Sequence, residues 1–165
     1  DYGYLYDYVN GNYADPSVRP SMAIAIGLDY SPLDRRQRKG VLDVVTRELL
    51  TPKGLRTLSP KSYGYRPFYL GSPYEREQAM HNGPARPWLI GFYADAYLRV
   101  FGRSGVSYID RMLIGFEEEM SQGCIGSLSQ LYDGNPPFSG RGAISHASNI
   151  AEVLRTIRTL KRFDS

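Results

Sequence analysis

Apolar residues recur at helical spacing over most of this chain. The clearest run is Ile144, Ala147, Ile150, Ala151, Leu154, Ile157 and Leu160, which predicts a long last helix starting near Ala143. Leu89, Phe92, Tyr93, Ala96 and Val100 mark a second helix, opened by Pro87. Ser104 reads as the cap of a third that runs to about Met120. Leu33, Val41, Leu42, Val45, Leu49 and Leu50 form a stripe behind Ser31-Pro32, an N-cap followed by proline at the first helical position. Met22-Ala23-Ile24-Ala25-Ile26 is apolar on nearly all sides, so its helix should be buried. A short helix over Glu75 to Met80 completes the set. Five or six helices in hairpin-like succession, with little strand, predict an all-α protein of about three helical hairpins with long ordered loops.

Two stretches alternate with the period of a strand instead. Tyr2, Tyr4, Tyr6 and Tyr8 put four phenols on one strand face, before turns at Asn10-Gly11-Asn12 and Asp15-Pro16-Ser17. Ser127 to Leu131 alternates small polar and apolar residues and stops at Asp133-Gly134-Asn135-Pro136, a turn sequence. That stretch either aims a polar side chain into a cleft or is a well-made connection between two helices. Between the helical stripes, Thr51 to Pro87 is rich in Gly and Pro yet carries Leu55, Leu58, Tyr63, Tyr65, Phe68, Tyr69 and Tyr74. So much aromatic surface is at odds with disorder, and an ordered loop of this length is expected to line a pocket.

The 165 residues suit a single domain, and a 42% hydrophobic share argues against disorder. Tyrosine dominates the aromatics, 14 against 6 Phe and 1 Trp, which leans towards wet clefts that hold polyhydroxylated ligands. A net charge of +3 gives no reason to expect nucleic acid. No apolar run approaches the roughly 18 residues of a membrane span, so no membrane partner is expected. The single Cys124 rules out an intrachain disulfide. The lack of an initiator Met and of a signal peptide is what a cut or processed piece would show. Arg35-Arg36-Gln37-Arg38-Lys39 reads as a solvated helix face rather than an anion site, and Glu117-Glu118-Glu119 as a face turned to solvent or a partner. There is no CxxC, no HExxH and no GxSxG. His81 and His146 have no ligand-like spacing, so neither metal nor cofactor is expected.

Three segments together resemble glycogen debranching enzymes in their amylo-α-1,6-glucosidase part. Thr51-Pro52-Lys53-Gly54-Leu55-Arg56-Thr57-Leu58-Ser59-Pro60 is similar to that family's "TPxGLRTLSP", and His81-Asn82-Gly83-Pro84-Ala85-Arg86-Pro87-Trp88-Leu89-Ile90-Gly91 to its "HQGTVWPWLLG". Ser127 to Pro137 and Gly142 to Glu152 resemble "SEIFDGDPP…RGCIAQAWSVAE", and Asp15 to Arg47 resembles its "RPNQ…SPLD" region. The likeness runs in order along nearly the whole chain.

The resemblance implies an (α/α)6 barrel, twelve helices in two rings. Such a barrel needs about 220 residues, so the chain is expected to be the C-terminal half. It also implies a cytoplasmic protein that acts on an α-glucan, partnered by the N-terminal half of the barrel or by a second copy of itself. The implied chemistry is inverting hydrolysis of α-1,6 branch points, with a general acid in the "WMD" segment of the other half and a base in the Glu of "SEIFDG". That base position reads Gln130 here, and an amide cannot accept the proton of water. "RPNQ" reads Arg19-Pro20-Ser21-Met22, the first Trp of "VWPW" is Arg86, and the Trp of "QAWS" is Ser148. The expected cleft residues are Arg56, His81, Arg86, Trp88, Tyr132 and Asp133. Each also has a plain structural role open to it: Arg56 tying the loop, Trp88 in the core, Asp133 bracing the turn. The isolated chain is expected to be inactive, and a non-catalytic glycan-binding or structural module derived from the same fold is the alternative.

Overall fold

A computed structural model describes residues 3–164. In chain order it contains β1 (Val9–Asn10), β2 (Tyr13–Ala14), α1 (Ser21–Gly27), α2 (Arg35–Glu48), β3 (Leu50–Thr51), β4 (Gly54–Arg56), α3 (Pro73–Ala79) and β5 (Ala85–Arg86). It continues with α4 (Leu89–Phe101), a 3-10 turn (Gly102–Gly105), α5 (Val106–Glu119), β6 (Leu131–Tyr132), β7 (Gly140–Arg141) and α6 (Ala147–Asp164). The helices cluster around α4. Its residues Leu89, Ile90, Tyr93, Ala94, Ala96, Leu98 and Val100 are buried on nearly every side, and it packs against α1, α2 and α6. Val41, Leu42, Val44 and Val45 of α2 and Met22, Ala23 and Ile26 of α1 complete one continuous core. On the polar side of the α4–α6 seam, Arg155 Nη1 reaches Asp95 Oδ2 at 2.7 Å.

The all-α expectation is corrected: the fold is mixed α/β. Five short antiparallel strands form one sheet in the order β3-β4-β5-β6-β7, and β1 pairs with β2. An all-helical half of an (α/α)6 toroid, made of about three hairpins, therefore does not describe it. Strands of two or three residues are too short for alternation to register in a periodicity reading, which needs a longer window. The sheet draws distant segments together. Leu50 pairs with Leu55, Leu55 with Arg86, Ala85 with Tyr132, and Leu131 with Arg141.

Several element starts also differ from the sequence reading. α2 begins at Arg35, not at Pro32, because Asp34 and Gln37 form a reciprocal capping box, with bonds of 2.8 and 2.9 Å. The basic run at its start is only partly a solvated face. Arg35 donates to Val100 O at 2.8 and 3.1 Å, stapling the start of α2 to the end of α4, and Arg38 donates to Leu33 O. α4 opens through Pro87, whose carbonyl accepts from Ile90 N. The expected helix at Glu75 to Met80 is α3, capped by Ser72. Ser104 donates to Phe101 O and does not cap α5. Glu119 pairs with Lys53 at 2.6 Å, while Glu117 and Glu118 face solvent. α6 begins at Ala147, not near Ala143. The backbone before it is bonded elsewhere: Gln130 N donates to Ala143 O and His146 N to Leu128 O. Of the four alternating phenols, Tyr2 lies outside the described residues. Tyr4, Tyr6 and Tyr8 belong to no strand, and Tyr4 donates to Pro16 O.

Two polar side chains hold these pieces in place. Asn149, fully buried in the first turn of α6, accepts from Trp88 N at 3.1 Å and donates to Ser129 O at 2.6 Å. It thereby joins α6, the start of α4 and the segment before β6. At the end of α2, Glu48 accepts from Ser59 Oγ at 2.7 Å and Lys61 Nζ at 3.0 Å. Burial alone would raise the carboxyl's pKa, but the Ser59 and Lys61 bonds outweigh it and hold the group below its ordinary value.

Two predictions follow from these ties. Asn149→Ala strands a buried backbone N–H and leaves Ser129 O without this donor, so it is expected to lower stability by about 2–4 kcal/mol in denaturant titration. Because the Glu48 pKa is depressed by folding, its contribution is present above the unfolded value near 4.5 and is lost as pH falls through the lower folded value. Glu48→Gln should cost about 1–2 kcal/mol at pH 7 and show a smaller loss of Tm between pH 5 and pH 3 than the parent chain.

Candidate functional site

The long 51–87 segment is ordered by a network of its own, and one glycine makes that network tight. Gly54 has φ +119, and a Cβ there would run into the carbonyl of Arg86, so β4 and β5 approach each other as only glycine allows. Arg56, at the end of β4, donates from Nε to Gly134 O at 2.7 Å and from Nη1 to Glu48 O and Leu50 O. Tyr65 donates to Asn135 Oδ1 at 2.9 Å. Asp133, fully buried, accepts from Tyr69 N at 3.0 Å and from both Nε and Nη2 of Arg141 at 3.0 and 2.8 Å. The loop is thus laid against the turn between β6 and β7. Tyr132 is fully buried beside it, its hydroxyl accepting from Ser129 N, and burial pushes its phenol up to about 12.

On the other side of β5 lies a cleft of about 470 Å3. Its walls carry Arg19, His81, Arg86, Trp88, His146 and Asp7, together with the apolar Ile24 and Leu89. Arg19 sews two loops together, donating from Nη1 to Thr57 O and His81 O and from Nη2 to Asn82 Oδ1. Its Nε lies 3.5 Å from Asp7, which also accepts from Ser21 Oγ at 2.8 Å. Trp88 is half-buried, edge-on to Phe92 with ring centroids 5.8 Å apart, and its indole offers an apolar wall of the kind sugar rings pack on. His146 has a buried Nδ1 with no hydrogen-bond partner among the described residues.

Arg86 stands apart. It is 8% exposed, and among the described residues its side chain makes a single hydrogen bond, from Nη2 to Met80 O at 3.2 Å. Burial pulls its pKa below the ordinary arginine value, with the Tyr69 phenol acting in the opposite sense, yet a guanidinium stays charged at neutral pH.

The structure therefore divides the sequence-derived candidates. His81, Arg86 and Trp88 meet in the cleft, whereas Arg56, Tyr132 and Asp133 lie in the network that holds the 51–87 segment to the 133–135 turn. Gln130 lines neither wall. Its Oε1 accepts from Ala143 N at 3.2 Å, and Gly142, with φ +70, passes so close that a Cβ would strike the amide. Asp7, Arg19 and His146 were not among the expected cleft residues. Arg19 carries a signal in its Arg-Pro motif, while Asp7 sits in a Tyr-rich alternation that points to nothing. A larger groove of about 540 Å3 runs between Gly3–Leu5 and the start of α2, but it holds none of the candidates, and its carboxylate, Asp34, caps α2. Among the described residues, no group of three or more His, Cys, Asp or Glu converges to hold a metal, and no helix is long and apolar enough to cross a membrane.

Comparison with known proteins places the sequence in a family. The chain is 30% identical over 91 residues to a glycogen debranching enzyme of Saccharomyces cerevisiae, a stretch that covers 52% of this chain and 6% of that relative. Residues 1–155 match the family described as amylo-alpha-1,6-glucosidase. With nearly its whole length matched, the chain belongs to the amylo-alpha-1,6-glucosidase family and is a glycogen debranching enzyme-related protein.

Proposed function

We propose that this chain forms part of an amylo-α-1,6-glucosidase-like domain, holds an α-glucan in the cleft between Arg19, His81, Arg86 and Trp88, and does not cleave it on its own. The observation that carries the proposal is Gln130. It stands where the resemblance puts the general-base Glu, it does not line the cleft, and its Oε1 already accepts a backbone hydrogen bond. Inverting hydrolysis needs a carboxylate to take a proton from water on the face opposite the acid, typically about 6.5–9.5 Å away. An amide there leaves hydrogen bonding without proton transfer, a loss on the order of 10²–10⁴ in rate. The 165 residues also contain no Trp-Met-Asp, the segment expected to supply the acid. A second reading, a glycan-binding module that has left catalysis behind, is favoured by Arg86 and Ser148 standing where the family motifs carry Trp.

Two measurements test this. Incubated with a branched limit dextrin, the chain should release no glucose above the blank. Gln130→Glu should keep the fold, because the side chains are nearly isosteric, and still release none. Glucose release by the unmodified chain would overturn the proposal. Trp88 is the sole tryptophan, so its emission reports on the cleft directly. Maltotetraose should change it in a saturable way, and an unchanged spectrum at millimolar sugar would contradict glycan binding there.

A further inference from the structure

We infer that the cleft takes a saccharide bearing an anionic group, a phosphoryl or a carboxylate, with Arg86 as the residue that selects it. The inference rests on the glycan reading above and deepens it. Other arginines in or near the site are matched. Arg141 pairs with Asp133, and Arg19 and Arg56 each reach several acceptors. Arg86 is more than nine-tenths buried, lines the cleft, and among the described residues has one carbonyl for its five donors and no carboxylate. The acid that shares the cleft, Asp7, is held by Arg19 and Ser21. Arg19 and Asp7 offset each other, so Arg86 leaves the cleft with a surplus positive charge.

Burying a charge without a counter-charge is costly, and arginine cannot escape by losing its proton. A ligand anion would supply the missing partner. The planar guanidinium fork fits two oxygens of a carboxylate or phosphate side by side. Trp88, which lines the same cleft, offers the apolar surface for the sugar ring that carries the anion. Where the family motif has a second aromatic, this chain has a cation, so a neutral stacking surface becomes an anion-reading one.

The test titrates the full 165-residue chain with glucose 6-phosphate, glucuronate, glucose, maltotetraose and inorganic phosphate, following Trp88 emission and heat of binding. At least one anionic sugar should bind tenfold or more tighter than glucose, and the better of the two identifies the anion. Arg86→Met should erase that preference, bringing the anionic sugar down to the affinity of glucose. Because it removes an unpaired buried charge, Arg86→Met should also melt no lower than the parent. Equal affinity for neutral and anionic sugars would overturn the inference and leave the glycan reading standing. Binding of inorganic phosphate as tight as that of glucose 6-phosphate would overturn the saccharide part. A marked fall in Tm for Arg86→Met would show that the protein itself supplies the counter-charge, which also overturns it. If no sugar binds at all, the glycan reading fails and this inference fails with it.

Discussion

The backbone pairing of Ala85 and Arg86 on both edges is the constraint on which the site depends. These two residues join Leu55 and Arg56 on one side and Tyr132 on the other, so three segments far apart in the chain meet at one place. Strands this short carry little stability of their own. The sheet persists because the apolar body of α4 follows it directly and anchors it in the core, and because Gly54 lets the neighbouring strand close against the Arg86 carbonyl. The helices thus provide the stability, and the sheet provides the convergence.

That convergence buries polar groups, and their bonding separates scaffold from site. Asp133, Arg56 and Asn149 are each held by two or more hydrogen bonds and tie loops to one another. Arg86, with one carbonyl for its guanidinium, and His146, whose buried Nδ1 has no hydrogen-bond partner among the described residues, both line the same cleft. Two incompletely bonded polar side chains in one cleft point to a place meant for something else.

The helices were legible because α2, α4, α5 and α6 are long enough to show a 3.6-residue stripe. Their starts were less so. Asp34 with Gln37 outcompeted Ser31, and residues 143–146 bonded to the 128–130 segment instead of extending α6. The sheet was nearly invisible: the strand-like alternation of Ser127 to Leu131 reaches it only at Leu131, alternation cannot be read from two residues, and the Gly- and Pro-rich 51–87 segment looks like loop. Of the site, His81, Arg86 and Trp88 were legible together because they share one short motif. Tyr132, Asp133 and Arg56 were drawn from motifs too, yet motif membership says nothing about whether a residue faces a cleft or braces a turn. Asp7 and Asn149 matter only through contacts with segments more than ten residues away, which no local pattern encodes.

The central claim is that the cleft beside Arg86 and Trp88 is where a glycan sits. Its most direct test is a crystal structure of the chain grown with a short α-glucan. A sugar ring should pack on Trp88, with its polar groups within hydrogen-bond reach of Arg86 and His81. A sugar bound in the groove between Gly3–Leu5 and α2, with the cleft empty at saturating ligand, would contradict it.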